Sequence, residues 1–264
     1  MTNHPNGPLV ALDVGNSRVK LGVFDQPLSL VGLPEPRESF SLSPDEAAAA
    51  IPSLLSENEW PLASWRLVSV NRPVVNRLLD AVWATPSCDP ARVRLLSAED
   101  LPLRIDVDEP ERVGMDRLAS AVAANRLRDP NRAAVVVDVG TAITVDLVSA
   151  EGSFQGGAVM PGLGTAAAAL HSLTDLLPLI DPAGLKTPPP ALGTNTRDAM
   201  NAGLFWGAIG GTRELIAQLA KPLTTKPHVF LTGGPAQMMF QSLRDVAEHV
   251  PHLTLAGAAI SATG

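Results

Sequence analysis

The sequence predicts an α/β protein whose two halves open on the same unit, and three observations carry that expectation. A strand, an acid, a tight polar turn and a return strand occur at 11–24 (ALDVGNSRVKLGVF) and recur at 134–148 (AVVVDVGTAITVDLV), with Asp13, Gly15 and Asn16 answered by Asp138, Gly140 and Thr141. The first half alternates apolar, strand-like runs with helically spaced ones, as layered α/β architectures do. The length, 264 residues, is enough to bury a substantial core and to divide into two domains.

The elements follow in order. After the first strand pair, SPDEAAAAIPSLL offers Ser43 as N-cap, Pro44 at the first helical position and Glu46 three residues after the cap, a capping box that starts a helix. WRLVSV (65–70) reads as a buried strand, VVNRLLDAVWA (74–84) as a helix and ARVRLLS (91–97) as another strand. GMDRLASAVAANRL (114–127) is a helix stopped by Asp129-Pro130, and the second strand–acid–turn unit follows at once. The expected domains are therefore 1–128 and 129–264. In the second half, FQGGAVMPG is a glycine-broken strand, TAAAALHSLTDLLPLI a helix and DPAGLKTPPPALG (181–193) a proline-rich loop. The long helix TRDAMNAGLFWGAIGGTRELIAQLA carries Gly203, Gly207 and Gly211 four apart on one face. Each glycine costs a helix roughly 1 kcal/mol relative to alanine, so that face is expected to meet something closely: another helix, a ligand or a second subunit. HVFLTGGPAQMM (228–239) reads as a strand, a Gly233-Gly234 turn and a helix.

Composition narrows the function classes. A hydrophobic fraction of 45% and a charged fraction of 18% describe a globular chain, and no apolar run reaches the ~18 residues of a membrane span. The polar start MTNHPNG lacks a secretory pattern, so the expected location is cytoplasmic and no membrane partner is expected. A net charge of −7 argues against a nucleic-acid partner, which calls for a clustered basic face. Cys88 is the only cysteine; it permits no internal disulfide and is expected to be inert.

The duplicated turn is where chemistry can reside. A strand leading into Asp-x-Gly-(Asn/Thr)-(Ser/Ala) presents backbone N–H groups and short polar side chains, a concave donor array that suits phosphate oxygens. Glycine lets the backbone approach, and Asp13 can hold Mg²⁺ through its waters, since that ion parts reluctantly from its hydration shell. Lys20, on the return strand, can meet a phosphate as a point charge. For either hairpin alone, a decorated β-turn explains as much; the repetition favours chemistry. Other routes are closed. There is no G-x-x-x-x-G-K-[ST] and no G-x-S-x-G. GLGTAA (162–167) fits a dinucleotide fingerprint, but Asp181, at about the right distance, begins a proline-rich loop instead of ending a strand. His4, His171, His228, His249 and His252 have no metal-binding spacing. Asp116 and Arg117 stand at a helix start after Gly114, where an acid is either a plain cap or, beside a phosphate site, a base next to a guanidinium that holds an anionic substrate.

Taken in order, Asp13-Val-Gly-Asn-Ser, Gly114-Met-Asp-Arg117, Asp138-Val-Gly-Thr-Ala-Ile-Thr-Val-Asp146, Gly156-Gly-Ala-Val-Met-Pro-Gly162, Gly193-Thr-Asn-Thr196 and Thr232-Gly-Gly234 resemble the type III pantothenate kinases, from residue 11 to about 235. The resemblance implies an actin-like, sugar-kinase-type fold of two ribonuclease-H-like domains around a nucleotide cleft. It implies transfer of the γ-phosphoryl of ATP to the primary hydroxyl of pantothenate, the first step toward coenzyme A. It assigns Asp13, Gly15, Asn16, Ser17 and Lys20 to phosphate or its magnesium, Gly140 and Thr141 to the second phosphate loop, and Gly233 and Gly234 to adenosine. Gly114, Met115, Asp116 and Arg117 match the pantothenate segment, with Asp116 as the catalytic base and Thr196 as another substrate contact. Asp138 matches the ligand of a monovalent cation, K⁺ or NH₄⁺. A homodimer with the acceptor pocket at the subunit seam is implied as well. Two departures stand out: Ser17 replaces a commoner threonine, and Val107 stands near the place of a family tyrosine in a chain that has no tyrosine at all. A catalytically weak nucleotide-binding regulator of the same fold is the alternative reading, and a filament subunit a third, in which Asp116 and Arg117 have no task.

Overall fold

The computed structural model describes residues 7–29, 31–57, 63–85 and 89–261, so His4 and Cys88 lie outside the described residues. In chain order the elements are β1 (Leu9–Val14), β2 (Val19–Phe24), β3 (Glu38–Leu42), α1 (Pro44–Glu57), β4 (Ser64–Ser69), α2 (Arg72–Trp83), β5 (Val93–Leu95), β6 (Arg104–Ile105) and α3 (Met115–Leu127). They continue with β7 (Ala134–Val139), β8 (Ala142–Val148), β9 (Ser153–Pro161), α4 (Leu163–Leu173), α5 (Thr196–Ala220), β10 (His228–Gly233), α6 (Ala236–Leu243), β11 (Glu248–His249) and α7 (Leu253–Ile260). The chain divides into two compact units, one of Met1–Arg104, Asp108–Leu127 and His252–Gly264, the other of Ile105–Val107 and Arg128–Pro251.

In the first unit a five-stranded sheet runs β3-β2-β1-β4-β5. The hairpin β1–β2 is antiparallel, while β4 and then β5 add in parallel. All six residues of β1 are buried, the pattern of a strand covered on both faces. On one face Val10, Leu12, Val14, Val19, Leu21, Val23, Trp65 and Leu67 form a core with Ile51, Val75, Leu78 and Val82 of α1 and α2. The opposite face is covered by α7, which packs on β1 and on α3. Only glycine fits at 257, where a Cβ would stand 1.8 Å from the carbonyl oxygen of Ala119. The buried hydroxyls of Ser120 and Thr254 join α3 to α7 at 2.9 Å. The expected capping box of α1 is formed: the Ser43 N–H donates to Glu46 Oε2 at 2.7 Å and the Glu46 N–H to Ser43 Oγ at 3.3 Å. Hydrogen bonds to the carboxylate from the backbone N–H of Ser43 first, and then from its hydroxyl, hold the Glu46 carboxyl below the usual carboxylate range.

In the second unit the sheet runs β11-β10-β7-β8-β9-β6. The repeated hairpin β7–β8 is antiparallel and β10 joins β7 in parallel, the arrangement that β1, β2 and β4 have in the first unit. Val135, Val137, Val139, Ile143 and Val145 face a core built from Phe205, Ile209 and Ile216 of α5 and from Met239 and Leu243 of α6.

The structure differs from the sequence expectations at four places. The strand expected at 91–97 is only Val93–Leu95, because Pro90 opens a 3-10 turn that Asp89 caps through the Ala91 N–H. The helix expected to continue to 180 stops at Leu173, where the hydroxyl of Thr174 caps the carbonyl of Leu170 at 2.7 Å and the backbone turns extended. The residues after 251, expected in the C-terminal domain, belong to the first unit. Finally, no described neighbour approaches within 4 Å of a Cβ placed at Gly203 or Gly207, and Gly211 meets only the Met160 side chain. The reason is rotational: α5 buries Met200, Ala202, Phe205, Ile209, Thr212 and Ile216, which leaves its glycine stripe outward.

Candidate active site

Asp13 and Lys20 face each other across the β1–β2 register. Lys20 Nζ lies 3.2 Å from Asp13 Oδ2, and the acid is 5% exposed. Between them the turn is closed by the Gly15 N–H donating to the Arg18 carbonyl at 3.0 Å, which leaves Asn16, Ser17 and Arg18 exposed. A Cβ on Gly15 would also come within 3.0 Å of that carbonyl, so a side chain there would crowd the bond that shapes the turn. Asn71, the N-cap of α2, donates from Nδ2 to Asn16 Oδ1 at 3.2 Å. The end of β4 is tied to the end of β1 by the Val70 N–H on the Val14 carbonyl at 3.1 Å.

The same edge of the unit receives the start of α3. A Cβ at Gly114 would stand 3.2 Å from Val70 Cγ1 and 2.5 Å from Asp116 Oδ1. Asp116 thus folds back over Gly114, and its Oδ1 accepts the Arg117 N–H at 2.8 Å. The acid is half-buried at the first turn of a helix, where orphan N–H groups and the helix dipole favour a carboxylate. Gly114, Met115, Asp116 and Arg117 are accordingly brought to the C-terminal ends of β1 and β4, beside the first turn.

The second turn is one residue tighter. The Gly140 N–H donates to the Ala142 carbonyl at 2.9 Å, and the carbonyl of Thr141 accepts from the Gly162 N–H at 3.0 Å and the Thr165 hydroxyl at 2.6 Å. A Cβ at Gly162 would fall 2.1 Å from the Gly140 carbonyl, so the Met-Pro-Gly segment lies directly against the turn. Gly233 has φ +106, and a Cβ there would lie 2.6 Å from Asp138 Oδ1 and 2.2 Å from the Val139 carbonyl. Asp138 and Gly233, far apart in sequence, are therefore in contact, and Gly234 is open on its outer side. Thr196 begins α5, next to a cleft of about 400 Å³ lined in part by Thr187, Thr194, Asp198 and Asn201. Val107 packs toward Gly156, whose φ is +87.

Among the described residues no group of three or more His, Cys, Asp or Glu side chains gathers to cage a metal. A lone, mostly buried Asp13 fits Mg²⁺ held largely by water and substrate phosphates. Asp138 fits a larger monovalent ion. Gly233 lies against its carboxylate, where a Cβ would crowd Oδ1, and Thr144, its register partner on β8, has a buried hydroxyl with no hydrogen-bond partner. An unsatisfied buried hydroxyl costs about 1–3 kcal/mol.

The model of the family described as type III pantothenate kinase matches residues 9–218. The chain belongs to the type III pantothenate kinase family. A protein of that name from Dehalococcoides mccartyi (strain CBDB1) is 32% identical over 256 residues, covering 94% of this chain and 93% of that protein. Another, from Porphyromonas gingivalis (strain ATCC 33277), is 34% identical over 221 residues, covering 83% and 86%. Among solved structures, the ethanolamine utilization protein EutJ from Carboxydothermus hydrogenoformans is similar with a TM-score of 0.52 at 16% identity, over 100% of this chain and 92% of that one. That likeness shows the fold alone, the two-domain actin-like ATPase fold, which this type III pantothenate kinase family member shares.

Sequence reasoning did not single out Thr144 or Gly162. Their signals were present, a hydroxyl two residues before Asp146 and a glycine after proline, but their importance depends on the β7–β8 register and on how closely the segment returns to the turn.

Proposed function

We propose that this chain phosphorylates the primary hydroxyl of pantothenate with ATP, giving 4'-phosphopantothenate as the first step of coenzyme A biosynthesis. The carrying observation is the placement of Asp116: in a chain of this family, the acid sits at a helix start beside the first phosphate-type turn. In the first unit, the N–H groups and side chains of Asn16 and Ser17, with Lys20, hold phosphate oxygens where Gly15 lets the backbone approach, and Asp13 orients Lys20 and faces the magnesium shell. In the second, Gly140 and Thr141 form the other phosphate loop, Gly233 and Gly234 leave room for adenosine, and Asp138 takes K⁺ or NH₄⁺. Asp116 accepts the acceptor hydroxyl's proton, Arg117 holds the pantothenate carboxylate in a planar donor fork, and Thr196 is a further acceptor contact. The bound cations supply neutralisation of the polyphosphate charge. Phosphoryl transfer asks little covalent chemistry of the protein, so positioning and charge carry the catalysis.

The working form is proposed to be a homodimer. Leu173 and Leu176 are 83% and 86% exposed, and the outward glycine stripe of α5 permits close approach of a second copy. No helix of the described residues is long and apolar enough to cross a membrane, and action in the cytoplasm is supported by the family's place in coenzyme A synthesis. The deciding experiment is steady-state turnover, with ADP release and phosphopantothenate formation followed together. Pantothenate-dependent release of both is expected. Nucleotide binding without pantothenate-dependent turnover would instead favour the regulator reading, to which the absence of tyrosine near Val107 gives some support.

A further inference from the structure

Thr144 stands opposite Asp138 in the antiparallel β7–β8 register, and Thr232 stands opposite Asp138 on the other side, in β10. Residues directly opposite on neighbouring strands project from the same face of a sheet, with Cβ atoms about 4.5–5.5 Å apart. That face is the reverse of the one that carries Val137, Val139, Ile143 and Val145 into the helical core. Thr144 Oγ1 is buried and has no hydrogen-bond partner, an exception among buried polar groups that calls for an explanation. A hydroxyl offers one donor and two acceptor lone pairs, and here all are withdrawn from water, on the sheet face that also carries the Asp138 carboxylate.

We propose that Thr144 Oγ1 is a ligand of the monovalent cation at Asp138 and helps to set its preference for a large ion. The assignment rests on the reading of Asp138 as a cation site. A neutral oxygen next to a single carboxylate suits a large monovalent ion, which exchanges its hydration shell for uncharged protein oxygens, whereas Mg²⁺ dehydrates reluctantly and keeps most of its waters. Bound NH₄⁺ would donate an N–H to the same lone pair. With the ion present, the hydroxyl's acceptor side is used. The orphaned atom thereby acquires a partner.

The test is thermal melting of the full chain with Mg²⁺ and a non-hydrolysable ATP analogue, titrating KCl against choline chloride at constant ionic strength. The wild type is expected to gain stability as K⁺ rises. Thr144→Val, close in shape but without the hydroxyl, is expected to raise the K⁺ midpoint at least tenfold. Without K⁺ it should melt no lower than the wild type, since it removes an unsatisfied group. Thr144→Ser should keep the wild-type midpoint. A wild type that responds to K⁺, an Asp138→Asn variant that does not, and a Thr144→Val variant with an unchanged midpoint would overturn the role of Thr144 and leave the cation site standing. A wild type indifferent to K⁺ would overturn both.

Discussion

At the scale of single residues, a substitution at Asp116 separates a base from a cap. An acid that merely capped α3 would matter to stability and not to turnover. Asp116→Asn keeps the oxygen that accepts the Arg117 N–H and removes the basicity. It is expected to lower kcat about 10²–10⁴-fold with nucleotide affinity by calorimetry nearly unchanged; wild-type kcat would reduce Asp116 to a cap. Gly233 is the second residue with a sharp expectation. Its φ of +106 and the 2.2 Å approach of the Val139 carbonyl to a Cβ position mean that Gly233→Ala should cost at least roughly 1–2 kcal/mol and weaken nucleotide binding. Melting and calorimetry on that variant measure both effects. The placement of Asp13 and Lys20 on the two strands of one hairpin was legible in the sequence, but their ion pair was not, because it depends on the register that sets them opposite one another. The contact of Asp138 with Gly233 was not, because it needs β10 to dock beside β7 in one particular register, which local pattern does not encode.

At the scale of elements, α7 and its first residues couple the C-terminal segment to the first turn. His252 adopts a left-handed conformation with φ 60 before α7. Burial and the nearby Lys20 push its imidazole below the usual histidine value, with Glu35 opposing them. The unfolded chain therefore binds more protons than the folded one between the folded value and about 6.5, and in that window stability rises with pH. Acidification through about 6.5 should lower the melting temperature, modestly since the side chain stays exposed on one side. His252→Asn, which tolerates the left-handed backbone, should flatten that part of the profile, and parallel melts across pH would reveal it. The elements best read from sequence were those with explicit end signals: α1 by its capping box, α3 by Asp129-Pro130. The end of α4 was misread because Leu176, Leu177 and Leu179 continue an apolar pattern. In the structure Leu176 and Leu179 are exposed, so there the run of leucines marks surface and not helix.

At the scale of the whole molecule, the outward glycines of α5 bear on assembly. Gly207 has open space around it, so a side chain there is harmless to a lone chain and even favours its helix. Gly207→Glu should retain wild-type circular dichroism and yet shift light scattering from dimer to monomer, with loss of acceptor affinity. A dimer of unchanged mass would remove that helix face from the seam. The duplicated architecture was legible because the two hairpins repeat in sequence, whereas the assignment of residues 252–261 was not, because a short apolar helix gives no sign of which sheet it covers.

That assignment has a consequence for how the chain is made. The second unit, apart from its short segment at 105–107, is a continuous stretch ending at Pro251, while the first needs α7 to cover β1 and α3. Emerging from a ribosome at roughly 5–20 residues per second, the first unit has an uncovered flank for several seconds after α3 has appeared. It closes only after its younger neighbour is complete. Leu9, Ala11, Leu118 and Ala119, all buried in the finished protein, are then the surface most open to chaperones and to aggregation. Losses in cellular yield caused by changes in α7 should accordingly exceed what melting of the purified protein predicts.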